Sequence, residues 1–364
     1  GAIPEYTKAI EINPSYEEAY NNRGLVKVQL EDYEGAIADY TKAIEINPSS
    51  SEAYSRLGLV RLDLEDYEGA IADYTKAIEI NPNDEEFYKL RANSKVYSKD
   101  YEGAIADYTK ALEINPSYSK ELLYFRRSNA KFKLGDYEGA SADLSKELKV
   151  NPSFAEGFHF RGLMKSKLKD YEGAIADNTK AIEINPSHEK AYNSRGFAKD
   201  NLEDHEGAII DYQKAININP SYAEAYKNIA LVKFKLKDIE GAFADLNKAK
   251  ELGSEDAQKA LNQYWETKSS SSQIEIETNP SNAEAYCTRA NAKTIAEDFE
   301  GAISDYTKAI EINPIYAKAY YFRAAVKESL DDFEGTIADL KKAKDLGSED
   351  ANKFLKLIED SLRE

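Results

Sequence analysis

Apolar residues recur along this chain at helical spacing, in runs of about fourteen residues that come in pairs. In the stretch Asp32–Pro48, D-Y-E-G-A-I-A-D-Y-T-K-A-I-E-I-N-P, the large Tyr33 and Tyr40 alternate with the small Ala36 and Ala43. That pattern predicts one amphipathic helix over Tyr33–Ile46, and the residues before it predict a partner helix over Glu17–Leu30. Near copies return at Asp66–Pro82, Asp100–Pro116, Asp136–Pro152, Asp170–Pro186, Asp204–Pro220 and Asp298–Pro314. Pro14, Pro48, Pro82 and Pro116 lie 34 residues apart, and so do Pro280 and Pro314. A fixed period of this length is the signature of a stacked repeat.

Each repeat carries start and stop signals. Asp32, Asp66 and their equivalents stand where a side chain can cap the second helix. Proline ends it, having no donor and a ring that clashes with a continuing helix. For the first helix, Ser15/Glu18, Ser49/Glu52, Ser153/Glu156, Ser221/Glu224 and Ser281/Glu284 have capping-box spacing.

A 34-residue helix–turn–helix with an aromatic, Gly, Ala, aromatic, Ala and Pro in this order resembles the tetratricopeptide repeat, over nearly the whole chain. The resemblance implies an all-α solenoid of helical hairpins forming a right-handed superhelix, whose concave groove is lined by the first helix of each pair. Two columns depart from the common pattern. Arg23, Arg91, Arg127, Arg161, Arg195, Arg289 and Arg323 stand where the family usually has Leu. Lys or Arg, as at Lys27, Arg61 and Lys131, stands where it often has Tyr. An acidic column runs along the second helix, including Asp39, Asp73, Asp107 and Asp143. The basic and acidic columns are expected to pair between packed helices.

The organisation read from the repeats is an array over residues 1–268, a linker or degenerate segment over 269–280, and two further repeats with a C-terminal cap over 281–364. The first array comprises a half repeat, seven repeats and a cap helix over 254–266. Asp245–Tyr264 and Asp339–Ile358 are near copies of each other, both passing through Leu-Gly-Ser, and each reads as a cap over the last apolar face. Ser269–Ser272 has the composition of a flexible linker. Ser117–Lys120 holds two extra residues, and Glu147 replaces a small Ala, so local packing is expected to loosen there. The chain opens at Gly1-Ala2-Ile3, in the middle of a repeat, as expected of a piece of a longer array.

The net charge of −18 argues against nucleic acid and anionic membrane surfaces as partners. No apolar run has the length of a membrane span. The single cysteine, Cys287, allows no internal disulfide and leaves the redox compartment undetermined. His159, His188 and His205 occupy different structural positions and read as surface histidines. No metal, cofactor or catalytic motif is present, and Trp265 reads as cap packing, with a partner anchor as the alternative.

Function is therefore sought on the first helices, where the copies differ. The positions that the resemblance assigns to the groove hold Leu25, Leu59, Asn93, Asn129, Leu163, Phe197 and Leu231 in one row. Phe132 and Phe234 come from a neighbouring row and Lys89 from a third. Two readings of this face stand: packing on the next repeat, or an exposed recognition surface for a protein or peptide. The family's carboxylate clamp for chaperone tails is incomplete: Lys89 and Asn93 match, but Arg126, Glu156 and Phe160 do not. The expected function is a non-enzymatic interaction scaffold holding a partner segment in the groove. The alternative is a homo-oligomeric scaffold that assembles through Ile3, Tyr6 and Ile10 of the half repeat.

Overall fold

The computed structural model describes residues 1–116 and 122–361, and the described residues are all helix and turn. The two extra residues near Ser117–Lys120 thus lie outside the described residues.

The chain forms two compact units, Gly1–Pro220 and Ser221–Glu364, a boundary that the repeat pattern does not mark. In the first, the lone helix α1 (Ala2–Ile12) precedes six hairpins. These are α2 (Glu17–Gln29) with α3 (Tyr33–Ile46), α4 (Ser51–Asp63) with α5 (Tyr67–Ile80), and α6 (Glu85–Tyr97) with α7 (Tyr101–Ile114). Then come α8 (Leu123–Lys133) with α9 (Tyr137–Val150), α10 (Ala155–Lys167) with α11 (Tyr171–Ile184), and α12 (Glu189–Asn201) with α13 (His205–Ile218). The second unit holds α14 (Ala223–Lys235) with α15 (Ile239–Glu251), then the long α16 (Glu255–Thr278). The hairpins α17 (Ala283–Ile295) with α18 (Phe299–Ile312) and α19 (Ala317–Glu328) with α20 (Phe333–Asp345) follow, and α21 (Glu349–Ser361) closes it.

Within each hairpin the turn is tight. Glu31 adopts a left-handed φ of 62°, so the Asp32 N–H reaches back to the Lys27 carbonyl and the Glu31 N–H to that of Val28. This is a Schellman closure, and Asp32 then caps α3 by accepting from the Gly35 N–H at 3.0 Å. Leu252-Gly253-Ser254 repeats that geometry, with Gly253 left-handed and Ser254 capping α16. The cap therefore begins with the turn used inside a hairpin, in place of the Asn-Pro turn used between repeats.

The expected capping boxes do not form. The first helices start one residue later, with Tyr16, Ser50, Phe154, Tyr222 and Asn282 at the cap position. The N–H groups of Ser15, Ser49 and Ser281 are taken instead by the side chains of Asn13, Asn47 and Asn279. Asparagine thus closes its own turn, a competition that short polar side chains regularly win. The serine run is also not a linker: 269–272 lies inside α16. Ser272 and Ile276 are buried on that helix, one turn apart, so packing overrides the weak helical preference of serine. The second half of α16 stands in for the missing second helix of a repeat, and its Gln273 accepts from Arg289.

The core is built from the small–large alternation. Ala36, Ala43 and Tyr40 are buried with their equivalents along the array. A Cβ placed on Gly24 would stand 2.8 Å from the Tyr40 ring, so only glycine lets that ring lie flat against the first helix. Glu147 does not loosen this core; its carboxyl is buried. The α8 N-terminus has no side-chain cap of its own, and Glu147 accepts the Phe125 N–H of its first turn from across the hairpin. Burial raises the pKa of that carboxyl.

The basic and acidic columns do pair, and each arginine engages three helices. Arg127 on α8 grips Asp143 on α9 with Nε at 2.8 Å and Nη2 at 2.6 Å. Its remaining Nη1 donates to Thr109 on α7, in the preceding repeat, at 2.9 Å. The Tyr124 ring lies 5.7 Å from the guanidinium carbon, and Lys131 adds a second cation 2.9 Å from Asp143. The same clasp recurs at Arg23, Arg91, Arg161, Arg195, Arg289 and Arg323. Burial works against the charge on Asp143, Asp305 and Asp339, but their two cations outweigh it and hold the carboxyls below the usual range.

Leu57 breaks the column. Asp73 keeps only Arg61, at 2.7 Å, and burial outweighs that single cation, raising its pKa to about 6. The penalty for a charged Asp73 is absent below its ordinary value of 3.8 and complete above about 6. In urea denaturation near pH 7.5, Asp211→Asn should therefore lose roughly 3 kcal/mol, because Arg195 and Lys199 stay behind without their counter-charge. Asp73→Asn should be neutral or stabilising under the same conditions. Equal losses at both positions would contradict this account.

Candidate functional site

The first helices of the hairpins present one face away from their partners, and the structure sorts the ten expected groove residues along it. Leu25, Leu59 and Phe197 in the first unit and Leu231 in the second are exposed. Phe132 and Leu163 pack into an aromatic cluster with Phe125, Phe160 and Tyr137. Phe234 packs on Phe243 and Tyr264, beneath the start of α16. These contacts leave Phe132, Leu163 and Phe234 half-buried. Lys89 is half-buried and salt-bridged to Glu86 at 2.6 Å.

Asn93 and Asn129 are brought together in a pocket of about 310 Å³ in the first unit. Its apolar floor is Leu62 of α4 and Val96 of α6. Tyr97, at the C-terminal end of α6, is 60% exposed and stacks on Tyr67 with ring centroids 5.4 Å apart. Arg126, Asn129 and Lys133 reach the pocket from α8, at positions i, i+3 and i+7 of one helical face.

A hydrogen bond at the base aims the donors of this pocket. Tyr108 donates to Asn93 Oδ1 at 2.7 Å, which turns the Asn93 amide and leaves its Nδ2 for another acceptor. Burial pushes the Tyr108 hydroxyl up to about 12, so it remains a donor. Tyr306 and Asn291 repeat the pair at 2.6 Å in the second unit. One repeat earlier, Leu59 occupies the equivalent of Asn93, and the buried Tyr74 hydroxyl has no partner. Arg126 and Lys133, which the groove rows did not single out, are exposed. Their signal in the sequence was their spacing: Arg126 stands three residues before Asn129, and Lys133 four after it.

Two of the histidines are not on the surface. His159 of α10 and His188, the cap residue of α12, are both buried, with rings 5.0 Å apart. The Asn178 amide donates to the Ala174 carbonyl at 2.9 Å and so turns its oxygen to His159 Nδ1 at 3.0 Å. His159 therefore donates from Nδ1. Glu156 stands 3.0 Å from His188 Nε2, an ion-pair distance without the alignment of a hydrogen bond. Superposing the repeats brings these residues from two hairpins together, and Asn178, replacing the usual Tyr, was the sequence signal. No group of three or more His, Cys, Asp and Glu arranged for a metal occurs among the described residues. Cys287 is buried, its thiol pushed up to about 11 by burial, and Trp265 stacks on Phe243 at 5.1 Å as part of the cap.

Family models for the tetratricopeptide repeat match residues 17–50 and 51–84, and also 86–118, 155–188 and 283–316. A TPR repeat model matches 201–237. No curated protein matches the sequence. Among solved structures, the C-terminal part of a TPR repeat-containing protein from Cytophaga hutchinsonii is 18% identical, with a TM-score of 0.54 over 65% of this chain and 97% of that one. A tetratricopeptide repeat protein from Parabacteroides merdae is 20% identical, with a TM-score of 0.51 over 67% of this chain and 95% of that one. Both likenesses concern the fold.

Tyr108→Phe should cost about 1 kcal/mol in urea denaturation, because it strips Asn93 of its donor, while Tyr74→Phe should be neutral or slightly stabilising. A larger loss for Tyr74→Phe would refute the orphaned hydroxyl. Burial holds the His159 pKa below the ordinary 6.5, against its Asn178 bond. The unfolded chain then takes up the proton more readily, so stability is full above 6.5 and falls as pH drops through it. His159→Gln should flatten the stability profile between about pH 7 and 5.5, and an unchanged slope would rule His159 out as its source.

Proposed function

The chain belongs to the tetratricopeptide repeat family, and on that premise we propose that it is a non-enzymatic scaffold whose first unit holds an extended segment of a partner protein. The observation that carries this reading is the pocket between α4, α6, α7 and α8. It combines an apolar floor, an exposed stacked tyrosine and two asparagine amides on rigid helices, one of them aimed by Tyr108. Asparagine amides can pair with the backbone of an extended peptide, and the floor can take a side chain between them. Leu25, Leu59 and Phe197 extend an apolar surface along the first helices of the same unit. Asn93, Asn129, Leu59 and Tyr97 are the residues assigned to partner contact. Phe132, Leu163 and Phe234 are assigned to packing.

Selection of displayed random peptides against the intact chain tests this without presupposing partner chemistry. Selected peptides should lose about tenfold or more in affinity on the double change Asn93→Ala and Asn129→Ala, about 1.4 kcal/mol or more. Lys76→Ala, on the exposed side of α5, should leave them unaffected. Binding indifferent to the asparagines but sensitive to Lys76 would move the site to the opposite face.

A further inference from the structure

The charge lining this pocket runs against that of the whole protein. The chain has 66 acidic and 48 basic residues. The described residues that line the pocket nevertheless include Arg126 and Lys133 and no carboxylate. Neither side chain forms an ion pair among the described residues, and both are exposed. The neighbouring Arg127 shows what the fold does with an arginine that it uses internally: it is buried and held by Asp143 and Thr109. Arg126 and Lys133 line the pocket instead.

Resting on the groove reading above, we propose that the segment bound here is acidic, carrying two carboxylate side chains about four positions apart on one face of an extended stretch. Arg126 and Lys133 are seven residues apart on one helix, so their backbones stand about 10.5 Å apart at 1.5 Å per residue. In an extended chain alternate residues share a face, so carboxylates four positions apart stand about 13 Å from each other, within reach of the two long cationic side chains. Between the cations stands Asn129, with Asn93 across the pocket and its Nδ2 left as a donor. The two amides hold the backbone between the carboxylates. Leu62 and Val96 also line the pocket, which suits an apolar side chain midway between the two acids, on the same face. The tyrosine hydroxyls add donors and no further charge.

Fluorescence anisotropy on the intact chain tests this with three labelled decapeptides. One carries Glu-Ser-Leu-Ser-Glu between Gly-Ser flanks, one has Gln for both glutamates, and one has Lys. The Glu peptide should bind about tenfold more tightly than the Gln peptide, as two partly exposed charge pairs would give. The Lys peptide should bind more weakly still. Arg126→Gln with Lys133→Gln should erase the difference between Glu and Gln, and circular dichroism should confirm that the variant stays folded. Equal binding of the Glu and Gln peptides, or a preference that survives the double change, overturns the acidic assignment and leaves the groove reading standing. Failure of all three peptides also overturns it. Whether the groove reading falls as well is then decided by the peptide selection, which does not depend on charge.

Discussion

The bidentate grip of an arginine on a buried aspartate organises this protein. A buried carboxylate is tolerated only with strong partners, and here, except at Asp73, the clasped aspartates receive two guanidinium bonds and, beside them, a lysine. The guanidinium fork fixes the crossing of the two helices in a hairpin, since both N–H groups must meet both oxygens. Its third bond, to Thr109 or its equivalents, ties the hairpin to the repeat before it. The groove face inherits its register from that grip. Leu25 shares α2 with Arg23, and Leu59 shares α4 with Arg61, so each stands on a first helix held to its partner by a basic side chain.

The turns complete the constraint. Within a hairpin, a left-handed residue and an aspartate cap reverse the chain in the least possible length. Between repeats, Asn-Pro stops one helix, and the asparagine side chain starts the next turn. Where the array is to be covered, Leu-Gly-Ser substitutes the tight turn for the Asn-Pro one, and a cap helix folds over the exposed apolar face. Trp265, Tyr264 and Phe243 seal that junction in the second unit.

Departures from the repeat mark where it has been adapted. Leu57 removes a clasp and leaves Asp73 reluctant to ionise. Glu147 caps the otherwise uncapped α8 from a neighbouring helix. Asn178, in place of the usual tyrosine, brings an amide to His159 beside His188. The pocket adjoins the second change: α8, which Glu147 caps, supplies Arg126, Asn129 and Lys133. The same local irregularity that breaks the repeat thus builds its most distinctive surface.

The sequence by itself determined the helical hairpins, their period, the aspartate caps and the pairing of the arginine and aspartate columns. These depend on neighbours sixteen residues apart or fewer and on residue types that recur in every copy, so each repeat restates the rule. Only the tertiary structure decided which groove positions are free. Leu163 and Leu25 occupy the same column, yet one is packed by the aromatic residues of its neighbours and the other is exposed. It also decided that 269–272 is helix and that His159 meets His188, because burial and contact between repeats depend on side chains that no single repeat contains.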